Sequence, residues 1–252
     1  MNAQNRSIKL LLYFYAFRLR ALGLVMVLSL LLFGLLSNSF AAGMDGSVLF
    51  LMLFLGVPLA YWLVIGHYAP TDQTVDNWLQ EDVKKIIEQS YERLGMDRTE
   101  EVREPLVIIS PVYWKLEGVS LKEMVFRKGK DKMLRFSIYQ VTIFHMQEQL
   151  TGAYICHYNF MRNGALYEKT SEYHYKDIVS VSTQQAIVKY HLPEGIKLIH
   201  VKEFGLSVAS GESIKVVIAL DTIAEREKAQ LRPTGAEQAV NVIRGMLRLK
   251  KA

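Results

Sequence analysis

Two long apolar runs dominate the N-terminal quarter of the chain. Residues 21–40 read ALGLVMVLSLLLFGLLSNSF, residues 48–68 read VLFLMLFLGVPLAYWLVIGHY, and neither run contains Lys, Arg, Asp or Glu. Each run has about the 20 residues that a helix needs to cross the core of a bilayer, whereas a buried helix of a soluble protein normally keeps a polar stripe. A cleaved signal peptide has a shorter apolar stretch. The pattern therefore predicts a hairpin of two transmembrane helices over residues 21–68.

Basic residues lie on one side of this predicted hairpin. Four of them precede the first run, namely Arg6, Lys9, Arg18 and Arg20, and the linker AAGMDGS between the runs has none. Because Lys and Arg near span ends mark the cytoplasmic side, we expect a bacterial inner-membrane protein with both termini in the cytoplasm. Within the basic segment 1–20, the stretch IKLLLYFYAF predicts either an interfacial helix or the start of a long tilted span. Arg18, Arg20 and Trp62 are the expected interfacial anchors.

Beyond the second run, the apolar residues follow the period of an amphipathic helix. They recur at steps of three and four along residues 72–96, and Gly95 marks the end of the pattern. This pattern predicts a connector helix that packs either on its own domain or on a neighbouring chain.

After Pro105 the apolar residues alternate with a period of two, which is typical of strands. The segments are LVIIS, LKEMVF, MLRFSIYQVTIF, GAYICHYNFM, ALYEKTSEYHY, IVSVSTQQAIVKY, IKLIHV, FGLSVAS and SIKVVIAL. Within MLRFSIYQVTIF the apolar phase shifts by one residue, as a β-bulge would produce. A final helix is predicted where Thr234 and Glu237 form a capping box ahead of an apolar stripe. We therefore predict an α+β protein: two transmembrane helices, then a mainly antiparallel β domain with a C-terminal helix over residues 104–252.

One predicted hairpin brings a polar trio together. If Asn163 and Gly164 form a two-residue type I′ turn, His157 lies opposite Thr170 and has Glu168 and Glu172 as diagonal neighbours. A His with two carboxylates can bind a divalent metal or act in acid–base catalysis. On an exposed sheet face, the same trio is more often plain polar surface, which is the interpretation we favour.

A basic segment, FRKGKDKMLRF at residues 126–136, surrounds a Gly-Lys-Asp corner. The corner predicts a hairpin turn, and its basic residues are Arg127, Lys128, Lys130, Lys132 and Arg135. Two roles are open for these side chains. They protect the hairpin against pairing with other strand edges, or they contact anionic lipid headgroups.

A resemblance extends over residues 133–250. The stretch EYHYKDIVSVST, a strand that leads into DIVSV and a further strand, resembles a signature of bacterial pleckstrin-homology-like and GRAM-like domains. FGLSVASGESIKVVIAL followed by the helix EQAVNVIRGML is similar to the end of the same fold. The resemblance implies a partly closed barrel capped by the C-terminal helix, and RKGKDKMLR is similar in charge to the phosphoinositide-binding corner of such domains. Fold alone does not fix function.

Composition and motifs narrow the functional classes. The net charge is +5, and the single cysteine, Cys156, excludes an intrachain disulfide. We find no Ser-His-Asp order, zinc-ligand spacing, kinase motif or Gly-rich phosphate loop, so we expect no enzyme activity, no cofactor, no metal and no nucleic-acid partner.

Three functions follow from the sequence, in descending order. The first is a non-enzymatic inner-membrane protein that is a homo-oligomeric scaffold or senses partners or the membrane surface, with the lipid bilayer as a partner. The alternative is a ligand-gated membrane effector or channel whose β domain binds a small anionic ligand such as a nucleotide. The third is a metal-dependent enzyme that uses His157.

Overall fold

The computed structural model of the chain describes residues 5–15, 23, 28 and 68–251, which fall into two compact units, Met1–Val75 and Asp76–Ala252. In the first unit, residues 5–15 form a helix. The Tyr13 side chain is fully buried, and its hydroxyl donates a hydrogen bond of 2.6 Å to Asp72 Oδ1. This bond joins the helix to the residues that begin the next one.

The predicted transmembrane hairpin is corrected by the structure. Among the residues described, no helix is long and apolar enough to cross a membrane. The helix at residues 5–15 is too short, and the longer helices described below carry charged residues along their length. This finding overturns the predicted two-helix hairpin, and with it the inner-membrane localisation that rested on the hairpin. The two apolar runs, residues 21–40 and 48–68, lie outside the described residues except for positions 23, 28 and 68.

Helix α1 extends from Asp72 to Leu94 and is amphipathic. On one side of it, Leu79, Val83, Ile86 and Ser90 are buried, while charged residues such as Lys84 and Lys85 are exposed. The three- and four-residue spacing of its apolar positions therefore produces one packed face.

The second unit contains nine strands in the part described, arranged in three antiparallel groups. The four-stranded sheet has the order β1 (Leu106–Pro111), β4 (Ile138–Met146), β5 (Leu150–Asn159) and β6 (Gly164–His174). Strands β2 (Phe126–Lys128) and β3 (Leu134–Phe136) pair with each other, and the three-stranded sheet consists of β7 (Ile178–Leu192), β8 (Gly195–Val208) and β9 (Ser213–Leu220). The prediction of an α+β protein with mainly antiparallel sheets is confirmed.

Two helices follow the last strand, α2 (Asp221–Glu227) and α3 (Ala236–Lys251). The core contains residues of both larger sheets, among them Ile108, Phe144, Phe204 and Val216, and the apolar stripe of α3 joins it through Ala236, Ala239, Val240 and Ile243. Short 3-10 helices occur at Arg98–Glu100, Leu121–Glu123 and Tyr175–Asp177.

Candidate functional site

The basic corner is a tight turn between β2 and β3. The turn is closed by the Gly129 amide, which donates to Met133 O at 2.9 Å, and by the Lys132 amide, which donates to Gly129 O. Three of its lysines are exposed, Lys128, Lys130 and Lys132, while Arg127 is half-buried. The Lys128 ammonium donates to Glu227 O at 2.8 Å. The predicted hairpin is present, and headgroup contact by these four cations stays a prediction.

Arg135, the fifth basic residue of the corner, is buried, with only 1% of its surface exposed. Its Nε and Nη2 donate to the two oxygens of Asp76 at 2.7 and 2.8 Å. Its Nη1 and Nη2 donate to Asp131 at 2.9 and 2.6 Å. Arg232 also contacts Asp76. The guanidinium therefore joins the β2–β3 turn to helix α1 and cannot reach an anion at the surface.

The charge of Arg135 also determines the protonation of its partner in the turn. Hydrogen bonds from the guanidinium hold the pKa of Asp131 well below its usual range, against a smaller opposing effect of desolvation. The turn thus carries a buried ion pair beneath its exposed lysines. The predicted interfacial anchors Arg18, Arg20 and Trp62 lie outside the described residues.

The hairpin that was predicted to assemble His157, Glu168 and Glu172 has a different register. Asn159 pairs with Gly164, and His157 pairs with Leu166 instead of Thr170. The loop is longer than a two-residue turn because the Asn159 side chain accepts hydrogen bonds from the amides of residues 161 and 162. A register irregularity between Ile155 and His157 adds a further shift. The predicted type I′ turn at Asn163-Gly164 is therefore wrong.

The three polar residues consequently do not form a metal site. The Glu168 carboxylate accepts from Arg93 Nε of helix α1 at 2.8 Å, whereas Glu172 pairs with Gly152. Burial lowers the pKa of His157, whose ring packs edge-on against Tyr167. Within the part of the chain that the structure describes, no group of three or more His, Cys, Asp or Glu side chains could hold a metal ion.

A polar chain that the sequence did not reveal connects helix α1 with strand β4. Ser90 Oγ lies 2.7 Å from His145 Nε2, and His145 Nδ1 lies 2.6 Å from Glu101 Oε1. Tyr91 donates to the second oxygen of Glu101 at 2.6 Å. The distances match those of a Ser-His-acid catalytic triad. Its only sequence signal is a Ser on an apolar helix face and a His within an apolar strand.

The burial of this chain opposes a catalytic role. Ser90 and His145 have no exposed surface, the Tyr91 ring covers the imidazole at 4.2 Å, and the guanidinium of Arg98 covers the Tyr91 ring at 4.7 Å. Ser90 Oγ also lies within donating distance of Ile87 O, at 2.6 Å. A nucleophile must reach its substrate. We therefore interpret the chain as a buried polar connection that holds α1 on the sheet.

The most exposed large apolar residues of the second unit include three on the β7–β8 hairpin. Ile187, Ile196 and Leu198 are 61, 62 and 66% exposed. Alternation along the paired strands places these three side chains on one face, hereafter the outer face, together with those of Lys189, His191 and His200. On the opposite face, Leu192, Ile199 and Val201 are buried, and Tyr190 stacks on Trp114 at 4.7 Å.

Comparisons of this chain with models of protein families, with curated proteins and with solved structures find no match. The resemblance to pleckstrin-homology-like domains is not tested by these comparisons and stays a prediction. The outer face and the buried polar networks are therefore the basis for a functional proposal.

Proposed function

We propose that this chain is a non-enzymatic scaffold that self-associates through its β domain. The observation that carries the proposal is the outer face of the β7–β8 hairpin, where three aliphatic side chains are each more than 60% exposed. Clustered apolar residues at a surface mark sites of protein interaction. The hairpin is long and ordered on its other face, so it presents these side chains on a supported framework.

The fate of the reactive side chains supports a binding role over a catalytic one. Ser90 and His145 are fully buried, and the Arg135 guanidinium is bound by two carboxylates. Burial raises the pKa of the Cys156 thiol to about 12, so this cysteine is a poor nucleophile. A pleckstrin-homology-like fold, which the sequence resembles, suits a module that presents surfaces to partners.

The experiment is sedimentation velocity of the full-length protein over a range of concentrations. We expect the wild-type protein to form a dimer or higher oligomer. Ile187→Lys and Leu198→Lys should each weaken the association at least tenfold, because a charge would then be buried in the contact. Val179→Lys is the matched control, since Val179 is also 61% exposed and on the same strand but lies outside the outer-face cluster.

Two results would contradict the proposal. A wild-type protein that stays monomeric at every concentration would refute self-association. An equal loss in the Val179→Lys protein would show that the outer face is not the surface that associates.

A further inference from the structure

The edge of strand β7 has an unusual combination of length and exposure. In the three-stranded sheet β7 lies at one end, and none of the described strands pairs with its outer edge. Its register with β8 is continuous from Ser180 to Leu192. Proteins normally protect such edges by proline, bulges, charge or short length. The segment 183–189, TQQAIVK, has no proline and a single charged residue.

The hydrogen bonds at its two ends show which backbone groups point outward. His191 O accepts from the Lys115 amide at 2.7 Å, and Val181 O accepts from the Arg244 guanidinium at 3.0 Å. Neither donor belongs to β8, so residues 181 and 191 point away from it. Because successive residues of an antiparallel strand point alternately to the two sides, residues 183, 185, 187 and 189 also point outward.

A contact on the neighbouring strand agrees with this assignment. His200 pairs with Ile187, and its amide donates to Thr222 Oγ1 at 2.8 Å. The His200 amide therefore also points away from β7, as the alternation requires of a pair that exchanges no hydrogen bonds. The edge thus offers four outward residues between two carbonyls that already have donors within the chain.

We propose that this edge binds the same edge of a second copy of the chain, antiparallel and about a two-fold axis at Ala186. In this register Thr183 pairs with Lys189 of the second copy, and Gln185 pairs with Ile187. It is the register that uses all four outward residues and neither of the two occupied carbonyls. Each such pair exchanges two backbone hydrogen bonds. The inference rests on the proposed self-association and names its surface.

Side chains and charge also favour a second copy as the occupant. Lys189, the only charged residue of the segment, faces an uncharged threonine, so the register places no like charges directly opposite each other. The two Ile187 side chains become diagonal neighbours on the outer face, where Leu198 lies opposite Lys189 within each copy. Strand pairing through main-chain hydrogen bonds is an established mode of protein recognition.

The register can be tested by disulfide formation in the full-length protein. Residue 186 points toward β8, so the two Ala186 residues form a non-hydrogen-bonded pair with Cα atoms about 4.5 Å apart, within the range that a disulfide spans. Ala186→Cys should give a covalent dimer under mild oxidation. Thr183→Cys is the control: it is more exposed, but the two copies of it would lie about 20 Å apart. Wild-type protein provides the blank, because its one cysteine is fully buried.

A second variant tests the edge without a cysteine. Gln185→Pro removes an outward amide and leaves the ladder with β8 intact, as edge strands tolerate. Its sedimentation should be that of a monomer, with unfolding close to wild type. If the protein is a dimer but Ala186→Cys cross-links no faster than Thr183→Cys, this inference is wrong while the proposed function stands. If the wild-type protein is a monomer, the proposed function fails as well.

Discussion

Arg135 shows at the scale of one residue how packing reassigns a charge that looks superficial in the sequence. The guanidinium is bound by Asp76 and Asp131 and is almost fully buried. Removing one partner of a buried ion pair typically costs 3–5 kcal/mol because the other charge stays buried. Since Arg232 still contacts Asp76, we expect Arg135→Met to lower the free energy of unfolding by about 3 kcal/mol, measured by urea denaturation.

Arg162 provides the matched control for that measurement. It also binds one carboxylate through two nitrogens, those of Glu123, but its side chain is 47% exposed. Exposed ion pairs contribute roughly 0–1 kcal/mol, so Arg162→Met should cost less than about 1 kcal/mol. Similar losses for the two variants would show that Arg135 is not stabilised by its burial among carboxylates.

His145 gives the protein a predicted sensitivity to mild acid. Burial lowers the pKa of its imidazole, while the hydrogen bond from Glu101 opposes this effect. Below the ordinary pKa of about 6.5, the unfolded chain then binds a proton that the folded chain binds less readily. The free energy of unfolding should therefore fall as the pH drops below about 6.5.

The variant His145→Gln isolates this contribution from those of the other histidines. Between pH 7.0 and 5.5, the variant should lose less stability than the wild type, by up to about 1 kcal/mol. The measurement is urea denaturation of both proteins at the two pH values. Parallel pH dependence of the two proteins would mean that the His145 imidazole titrates alike in the folded and unfolded chains.

At the scale of elements, the docking of helix α3 on strand β1 depends on one glycine. Gly235 has a φ of +79°, and a Cβ there would collide with the Val107 carbonyl oxygen. The preceding residue, Thr234, accepts a hydrogen bond from the Ile109 amide at 3.0 Å. We expect Gly235→Ala to lower the free energy of unfolding by about 2 kcal/mol, measured by thermal and urea unfolding.

Gly245 in the same helix has the opposite expectation. A Cβ at that position would meet no atom within 4 Å, and alanine favours a helix over glycine by up to about 1 kcal/mol. Gly245→Ala should therefore stabilise the protein or leave it unchanged. A destabilising effect as large as that of Gly235→Ala would show that the collision with β1 is not the cause.

Elements were predictable from the sequence where one periodicity dominated. Helix α1 and the long strands β7 and β9 lie close to the segments predicted from spacing alone. The phase shift in MLRFSIYQVTIF corresponds to a break at Ser137, whose hydroxyl donates to Glu123 O and accepts from the Val125 amide. The strand therefore divides into β3 and β4 instead of bulging.

The turn signal failed because a side chain outside it competed for the backbone. Asn163-Gly164 suits a hairpin turn by residue type, but the Asn159 side chain accepts two backbone amides and starts the loop earlier. The site suffered more than the fold, since a shift of register separates every cross-strand neighbour. Ser90, Glu101 and His145 could not be grouped from the sequence, because their contact requires α1 to pack on β4.

At the scale of the whole molecule, self-association would couple stability to protein concentration. A partner that binds only the folded chain stabilises it by mass action, on the order of 2 kcal/mol when its concentration rises from near the dissociation constant to a hundredfold above it. For a chain of this size, 1 kcal/mol corresponds to a rise in Tm of roughly 2–4 °C. We therefore expect the wild-type Tm to increase by several degrees over that range.

The same titration on Ile187→Lys separates association from other effects of concentration. Since Ile187 is 61% exposed, the substitution should leave the Tm at low concentration within about 1 °C, because exposed substitutions usually change stability little. The Tm of the variant should then stay constant as its concentration rises. A variant whose Tm climbs in parallel with that of the wild type would show that the outer face does not contribute to the association, whatever its effect on folding.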